Sequence, residues 1–347
     1  MARILYGVMG NTHGHIMRTR AITSYWKNHE FHFVGGGKVP DAFKDHSVLE
    51  VPVLRTVHKK QKVDVFSVMN QIAHRVAEIP KVTRQICQLI EQWQPDIAIC
   101  DREFFLPLAC KKMGLRCVSV NHSHVLLKCK YPVPSSQFIS WSLAMANDHL
   151  LFNYIPESCI VSFFHPPIKI KRARLFPPVI RTEVEPIQPS QGDHVLVYQT
   201  SPTFGALIEA LRGLKRPVVV YGFRSEKSTE GNITFKPYDT LSILDDLASC
   251  AYAVVNGGHN LISEALYFGK PIMCFPIAVL FEQFINAFHI RELGYGDFST
   301  SKHPTTDLFL QFEKKLPAYE AAIRQGEFNG TQKLVDFLDL VVAGQSV

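Results

Sequence analysis

The chain has no Cys-x-x-Cys pair, although it holds eight cysteines, at 87, 100, 110, 117, 129, 159, 250 and 274. The familiar zinc and dithiol spacings are therefore missing. Most of the eight lie in apolar runs, as reduced core thiols of a cytosolic protein do. No apolar run approaches the roughly 18 residues of a membrane span. The opening MARILYGVMG carries one arginine and a short apolar run into Asn11-Thr12-His13, which reads as a first strand rather than a signal peptide. No basic helix with interleaved aromatics occurs, so nucleic acid is not an expected partner. Internal repeats and low-complexity segments are also missing. Gly35-Gly36-Gly37-Lys38 is not a phosphate loop, because the G-x-x-x-x-G-K-[ST] spacing is absent and Val39 follows the lysine.

What remains is a globular chain of 347 residues, 46% hydrophobic and 20% charged, long enough for two ordinary domains. A formal net charge of +6 suits a phosphate-bearing ligand or an anionic surface, and is also ordinary for a soluble protein.

Strands alternate with helices along the chain, as parallel βαβ units do. Arg3 to Val8 reads as a strand, followed by a helix from about Ile16 to Lys27. Further strands are expected at Phe31–Val34, Leu49–Leu54, Asp96–Cys100 and Arg116–Val120. A long helical region from Phe66 to Trp93 is expected to break at Pro80. Prolines and basic residues cluster between 156 and 190, which places an interdomain connection near Arg181. A second alternation begins at Val195–Tyr198, and helices are expected at Leu308–Arg324 and Lys333–Val342.

The stretch Asn256–Asn286 carries the strongest signal. A buried strand, Ala251–Val255, gives way to Gly257-Gly258 and a helix from about Asn260 to Phe268. Gly269 closes that helix and Pro271 prevents its continuation. Glycines let a ligand approach bare backbone, and the unpaired N–H groups of a helix start suit a phosphate. Asn260 and Glu264 share one helix face, and the carboxylate can accept both hydrogen bonds of a ribose diol. Gln283, in the first turn of the next helix, can both donate to and accept from sugar hydroxyls. The stretch also reads as an ordinary strand–helix turn with a good C-cap.

This stretch resembles the donor signature of GT-B glycosyltransferases, both the plant type HCGWNSxxEAxxxGxPxxxxPxxxDQ and the enzyme that adds GlcNAc to lipid I. Asn260 matches the signature asparagine, Glu264 the ribose-binding glutamate, Gly269 and Pro271 the GxP, and Gln283 the sugar-contacting glutamine. Asn256 replaces a phosphate-contacting histidine, His259 a tryptophan, Leu261 a phosphate-contacting serine and Glu282 an aspartate. GGxxxxxEAL and EQxxNA are shared with a poorly characterised bacterial and archaeal group.

The resemblance implies an α/β fold of two Rossmann-like, doubly wound parallel-sheet domains facing a cleft. Residues 1–180 would bind acceptor and 181–325 a nucleotide-diphosphate sugar, UDP-linked by expectation. Residues 326–347 would form a helix crossing back to the first domain. Gly14 and His15 match the Gly-His loop whose histidine is the base of many inverting members, and Asp101 matches the aspartate that orients it. Asp101 reads equally as a cap of the helix that follows it. Thr200, Ser201, Asn256, Gly257, Gly258, His259 and Glu282 join Gly14 as further donor-side candidates. His13, Arg18, His122 and His124 are acceptor-side candidates.

The expected reaction is transfer with inversion to a hydroxyl, with no metal or other cofactor. The segment Val125-Leu126-Leu127 beside Lys128 and Lys130, with His58–Lys62, reads either as a solvated loop or as an apolar, basic edge. Such an edge would suit a lipid-linked acceptor and peripheral contact at the inner membrane face of a cytoplasmic protein. Two alternatives stand beside this reading. One is a nucleotide-sugar epimerase, although its G-T-R-P-E motif is missing. The other is a metal-dependent hydrolase using the pairs His13/His15 and His122/His124.

Overall fold

The structure is a computed structural model that describes residues 1–11, 13–53, 77–152, 154–200 and 203–347 in full, and the backbone of 58–59, 62–63 and 65–76. It divides into two units, Met1–Arg181 with Gly330–Val347, and Thr182–Asn329. The sequence reading set these limits at 180/181 and 325/326.

The first unit is built on a seven-stranded sheet. Its order is Ser47–Leu49, Glu30–Val34, Arg3–Val8, Ile97–Asp101, Cys117–Asn121, Glu157–Val161 and Ala173–Phe176. Every adjacent pair is parallel. The chain lays its first three strands outward in one direction and the rest in the other. The switch lies between Arg3–Val8 and Ile97–Asp101, where Val8 is in register with Asp101. Ligands of open α/β sheets sit at such a switch, outside the carboxyl ends of the strands.

Side chains alternate across each strand. Ile4, Tyr6 and Val8 face a core completed by Ile16, Ile22 and Trp26, and by Leu334 and Leu338 of the final helix, Thr331–Val342. Leu5 and Ala98 face the opposite layer, with Val82 and Ile86 of helix Val65–Trp93 and Phe105 and Leu106 of helix Phe105–Met113. The final helix is also tied by polar contacts. Trp26 Nε1 donates to Asp339 Oδ1 at 2.6 Å, and Arg116 donates to the carbonyls of Val341 and Gln345.

Several expectations are corrected. Helix Val65–Trp93 runs through Pro80 without a break. Packing of Val82, Ile86 and Ile90 on the sheet outweighs the roughly 3 kcal/mol that an internal proline costs. The proline-rich region contains two more strands of the sheet, Glu157–Val161 and Ala173–Phe176. The expected strand Leu49–Leu54 is the short Ser47–Leu49, and the expected helix Leu308–Arg324 is two, Thr306–Glu313 and Leu316–Ile323. A helix not read from the sequence spans Phe138–Phe152. Val125, Leu126, Leu127 and Lys128 lie buried in helix His124–Lys128, so they form no apolar, basic edge. The side chains of His58–Lys62 lie outside the described residues.

The second unit repeats the plan. Its order is Ser228–Glu230, Ile233–Lys236, Val218–Tyr221, Val195–Tyr198, Tyr252–Val255, Ile272–Cys274 and Gly296–Phe298. Only the edge strand Ser228–Glu230 runs antiparallel to its neighbour. The switch here lies between Val195–Tyr198 and Tyr252–Val255. Leu207, Leu211, Phe309 and Phe312 pack on Val195, Val197, Val218 and Val254 to make one core layer. All eight cysteines are free and seven are buried. Among the described residues no helix is long and apolar enough to cross a membrane.

Candidate functional site

Three side chains meet at the switch point of the first sheet. Helix His13–Tyr25 begins just beyond the first strand and brings His15 and Arg18, three apart, onto one face. Asp101 closes the strand Ile97–Asp101 and is fully buried. His15 Nδ1 lies 2.7 Å from Asp101 Oδ1. Arg18 donates from Nε to Oδ2 at 2.9 Å and from Nη2 to Oδ1 at 2.8 Å, and its Nη2 lies 2.9 Å from His15 Nδ1. Burial pushes the Asp101 carboxyl up, but the Arg18 guanidinium and then His15 more than offset this, holding it below the ordinary aspartate range.

Asp101 does not cap the following helix; Glu103 does. Leu106 N–H donates to Glu103 Oε2 at 2.5 Å. Burial raises the Glu103 carboxyl to about 7, against the pull of the backbone N–H groups of Leu106, Phe105 and Phe104. Between them Arg102 takes a left-handed backbone, φ 56°, and is held by Asp148 and by stacking on Phe152. Val8, Gly10, Gly36, Val51, Arg102 and Glu103 line a small, open recess beside this turn.

The acceptor-side candidates do not gather. Arg18 is 5% exposed and engaged with Asp101, so it is not placed to meet an acceptor directly. His122 is buried, with Nδ1 2.9 Å from the Val161 carbonyl. His124 is buried between Ser119 Oγ and Ser158 Oγ, and burial, then the charges of Lys128 and Arg102, lower it to about 3. His13 begins the helix that carries His15, its Nε2 2.7 Å from Lys38 Nζ. Burial, Lys38 and Arg181 all lower its pKa. The two loops pack backbone to backbone here: a Cβ on Gly10 would lie 1.7 Å from the Gly36 carbonyl oxygen, and one on Gly36 1.9 Å from that of Val51. Among the described residues no three His, Cys, Asp or Glu side chains are placed to share a metal ion.

In the second unit Asn256 joins the two strand ends at the switch. Its Oδ1 accepts from the Thr200 N–H at 2.8 Å, and its Nδ2 donates to Gln199 Oε1 and to the Phe275 carbonyl. Ser201 lies outside the described residues. Gly257, φ 104°, is required by its fold position, because a Cβ would lie 2.8 Å from the Gln283 carbonyl oxygen. Gly258 differs. Its backbone is ordinary, φ −69° and ψ 127°, and a Cβ would meet nothing within 4 Å.

Gly258 is the N-cap of helix His259–Tyr267, which has no side-chain cap. The first-turn N–H groups of that helix thus start beside bare backbone and open space. His259 and Glu264 are buried, and Asn260 is half-buried. Gln283 Oε1 accepts from the Ile277 N–H at 3.0 Å, so the amide NH₂ is the end it can offer a ligand. Glu282 lies in the first turn of the same helix, Phe281–Glu292. Gly269, φ 75°, ends the shorter helix as expected, with the Lys270 N–H reaching back to the Ala265 carbonyl.

Solved structures share this fold along nearly the whole chain. Spinosyn forosaminyltransferase SpnP aligns with a TM-score of 0.67 at 15% identity, covering 99% of each chain. MurG of Acinetobacter baumannii aligns at 0.64 and 14% identity, covering 98% of this chain and 99% of its own. The glycosyltransferase VinC, solved with dTDP, aligns at 0.62 and 16% identity, covering 99% and 100%. No curated protein sequence matches. These likenesses give the fold, two Rossmann-like α/β units of GT-B type. The family model described as glycosyl transferase family 1 matches residues 2–317, and the chain therefore belongs to that family.

Proposed function

We propose that the protein transfers a sugar from a nucleotide-diphosphate donor to an acceptor hydroxyl, with inversion at the anomeric carbon. The observation that carries this reading is the contact of His15 Nδ1 with Asp101 Oδ1 at 2.7 Å. An ionised carboxylate can only accept, so a hydrogen bond to Asp101 takes its proton from Nδ1, and the 2.9 Å approach of Arg18 Nη2 to Nδ1 is then a contact and not a second hydrogen bond. That leaves Nε2 able to take the proton of the attacking hydroxyl, while Asp101 supports the imidazolium that results. The oxygen attacks the anomeric carbon as the sugar–phosphate bond breaks, and the diphosphate leaves with the bonding pair.

The donor reading rests on the uncapped helix start behind Gly258 and on buried Glu264 one turn further along. The first-turn backbone N–H groups and the helix dipole would stabilise the leaving diphosphate, a role metal ions fill in other transferases. A carboxylate that binds both hydroxyls of a ribose favours a ribonucleotide such as UDP. The deoxy nucleotide found with VinC offers that carboxylate a single hydroxyl.

His15→Ala tests the proposal. Turnover should fall by roughly 10²–10⁴-fold, the span of lost general-base catalysis, with nucleotide affinity unchanged. Asp101→Asn should fall less. Wild-type turnover in His15→Ala, or retention of anomeric configuration in the product, would overturn the mechanism.

A lipid-linked acceptor at an anionic membrane surface has one observation in its favour. On helix Phe138–Phe152 the stripe Ile139, Leu143 and Leu150 is 75%, 55% and 68% exposed. The helix is tied through Trp141 Nε1 and Tyr131 Oη to the segment that carries exposed Lys130, itself bonded to the segment of exposed Lys169. An apolar stripe beside lysines matches the chemistry of an anionic interface.

A further inference from the structure

Arg18 is the one member of the switch-point cluster to which the proposed reaction gives no part. It sits one turn after His15 and donates two hydrogen bonds to Asp101, one to each carboxylate oxygen. Both side chains are buried, 5% and 0% exposed, so the pair lies in a low-dielectric setting where a planar fork fixes the carboxylate strongly. Of the two carboxylate oxygens Oδ1 then faces His15, and Arg18 Nη2 lies 2.9 Å from the same imidazole nitrogen.

We propose that Arg18 is a positioning residue for the His15–Asp101 pair; this rests on the reading of His15 as the base. The fork sets the plane of the Asp101 carboxylate, and through it the direction in which His15 Nε2 points. The charge of Arg18 acts the opposite way. As His15 accepts a proton, the trio His15, Asp101 and Arg18 passes from neutral to a net single positive charge. Without Arg18 the same step would pass from a single negative charge to neutral. Arg18 therefore sharpens the geometry of the base while its charge works against the build-up of positive charge at the site. The other titratable groups packed here are Tyr6 on the first strand and Cys100 beside Asp101, both raised by burial far out of the working range. Lys38 meets His13, two residues away along the helix.

The test compares Arg18→Lys and Arg18→Met by acceptor kinetics and nucleotide binding in the full-length chain. Arg18→Lys keeps the charge without the fork. Its kcat should fall roughly ten- to hundredfold, the effect of a reacting group displaced by up to about an ångström, with acceptor KM within about twofold. Arg18→Met removes the fork and the charge together, and its kcat should fall at least as far as that of Arg18→Lys, again with little change in acceptor KM. Arg18→Met leaves a buried carboxylate without its guanidinium partner, so Arg18→Met/Asp101→Asn is the control if that variant does not fold; its kcat should lie near that of Asp101→Asn, because Arg18 acts through Asp101. Wild-type kcat in folded Arg18→Lys and Arg18→Met, with only thermal stability lowered, would overturn the proposal and leave a structural ion pair. A raised acceptor KM at unchanged kcat would overturn it by placing Arg18 against substrate. His15→Ala separates the two levels. If it is inactive while Arg18 variants turn over normally, only the role of Arg18 falls; if it is fully active, the base assignment falls first.

Discussion

Asn286 Nδ2 donates to the Gly257 carbonyl at 3.0 Å from a fully buried position. The glycine turn is thereby fastened from behind by the next helix, while Asn256 fastens it from the side through Thr200. Gly258 is left as the turn's open edge. An anchored loop with one bare residue is preorganised, and binding it costs little ordering.

Gly258→Asp exploits that arrangement. Aspartate is a good N-cap, so thermal stability should hold or rise slightly. Its charge would lie where the diphosphate is proposed to bind, and nucleotide affinity should drop by at least about tenfold. Calorimetry decides this, and unchanged affinity would move the phosphates away from this helix.

Glu264→Ala should weaken UDP binding by about 1–3 kcal/mol, the range for a hydrogen bond with a charged partner. The wild type should prefer UDP to 2′-deoxy-UDP, and the variant should lose that preference. Equal binding of the two nucleotides by the wild type would show that the carboxylate does not read the ribose.

Glu103 gives a pH dependence of stability. Its folded value of about 7 lies above the unfolded 4.5, so the folded chain binds the extra proton between them. Stability from this group is therefore fully present below pH 4.5 and declines as pH rises toward 7, by an amount on the order of 3 kcal/mol. Glu103→Gln keeps an acceptor for the Leu106 N–H and should remove that decline. Denaturant titrations between about pH 5 and pH 8 should converge for the two proteins at low pH and separate at high pH. Parallel curves would mean that Glu103 stays ionised.

The double variant Ile139→Glu/Leu143→Glu should fold normally, because both side chains already face solvent. Its sedimentation with anionic vesicles should fall toward that with neutral ones, and salt should weaken the wild-type association. No vesicle preference by the wild type at low salt would favour a water-borne acceptor.

The strand–helix rhythm and the glycine turn were legible because each depends on local pattern: period-two apolar runs and a C-cap glycine. The strand-end places of His15 and Asp101 were legible in the same way, but their pairing across 86 residues came from the family resemblance. The role of Arg18 was not legible, since an arginine on a helix reads as exposed until a buried carboxylate from a strand 83 residues on is placed beside it. Whether Asp101 caps the next helix was left open for a similar reason. Asp101 and Glu103 both precede the helix, and only the left-handed turn at Arg102 decides which one reaches back to the N–H groups. Helix Phe138–Phe152 escaped because its apolar residues lie on the solvent side as well as the inner side, which blurs the amphipathic period.

Because Thr331–Val342 completes the core of the first unit, the order of synthesis is not the order of completion. On the ribosome the first 181 residues emerge without Leu334 and Leu338 to cover Ile22 and Trp26. The contiguous second unit can close before its predecessor does. A nascent chain must therefore hold an uncovered apolar face for the whole translation of Thr182–Asn329, and chaperone demand should peak there, ending only when Asp339 reaches the Trp26 indole.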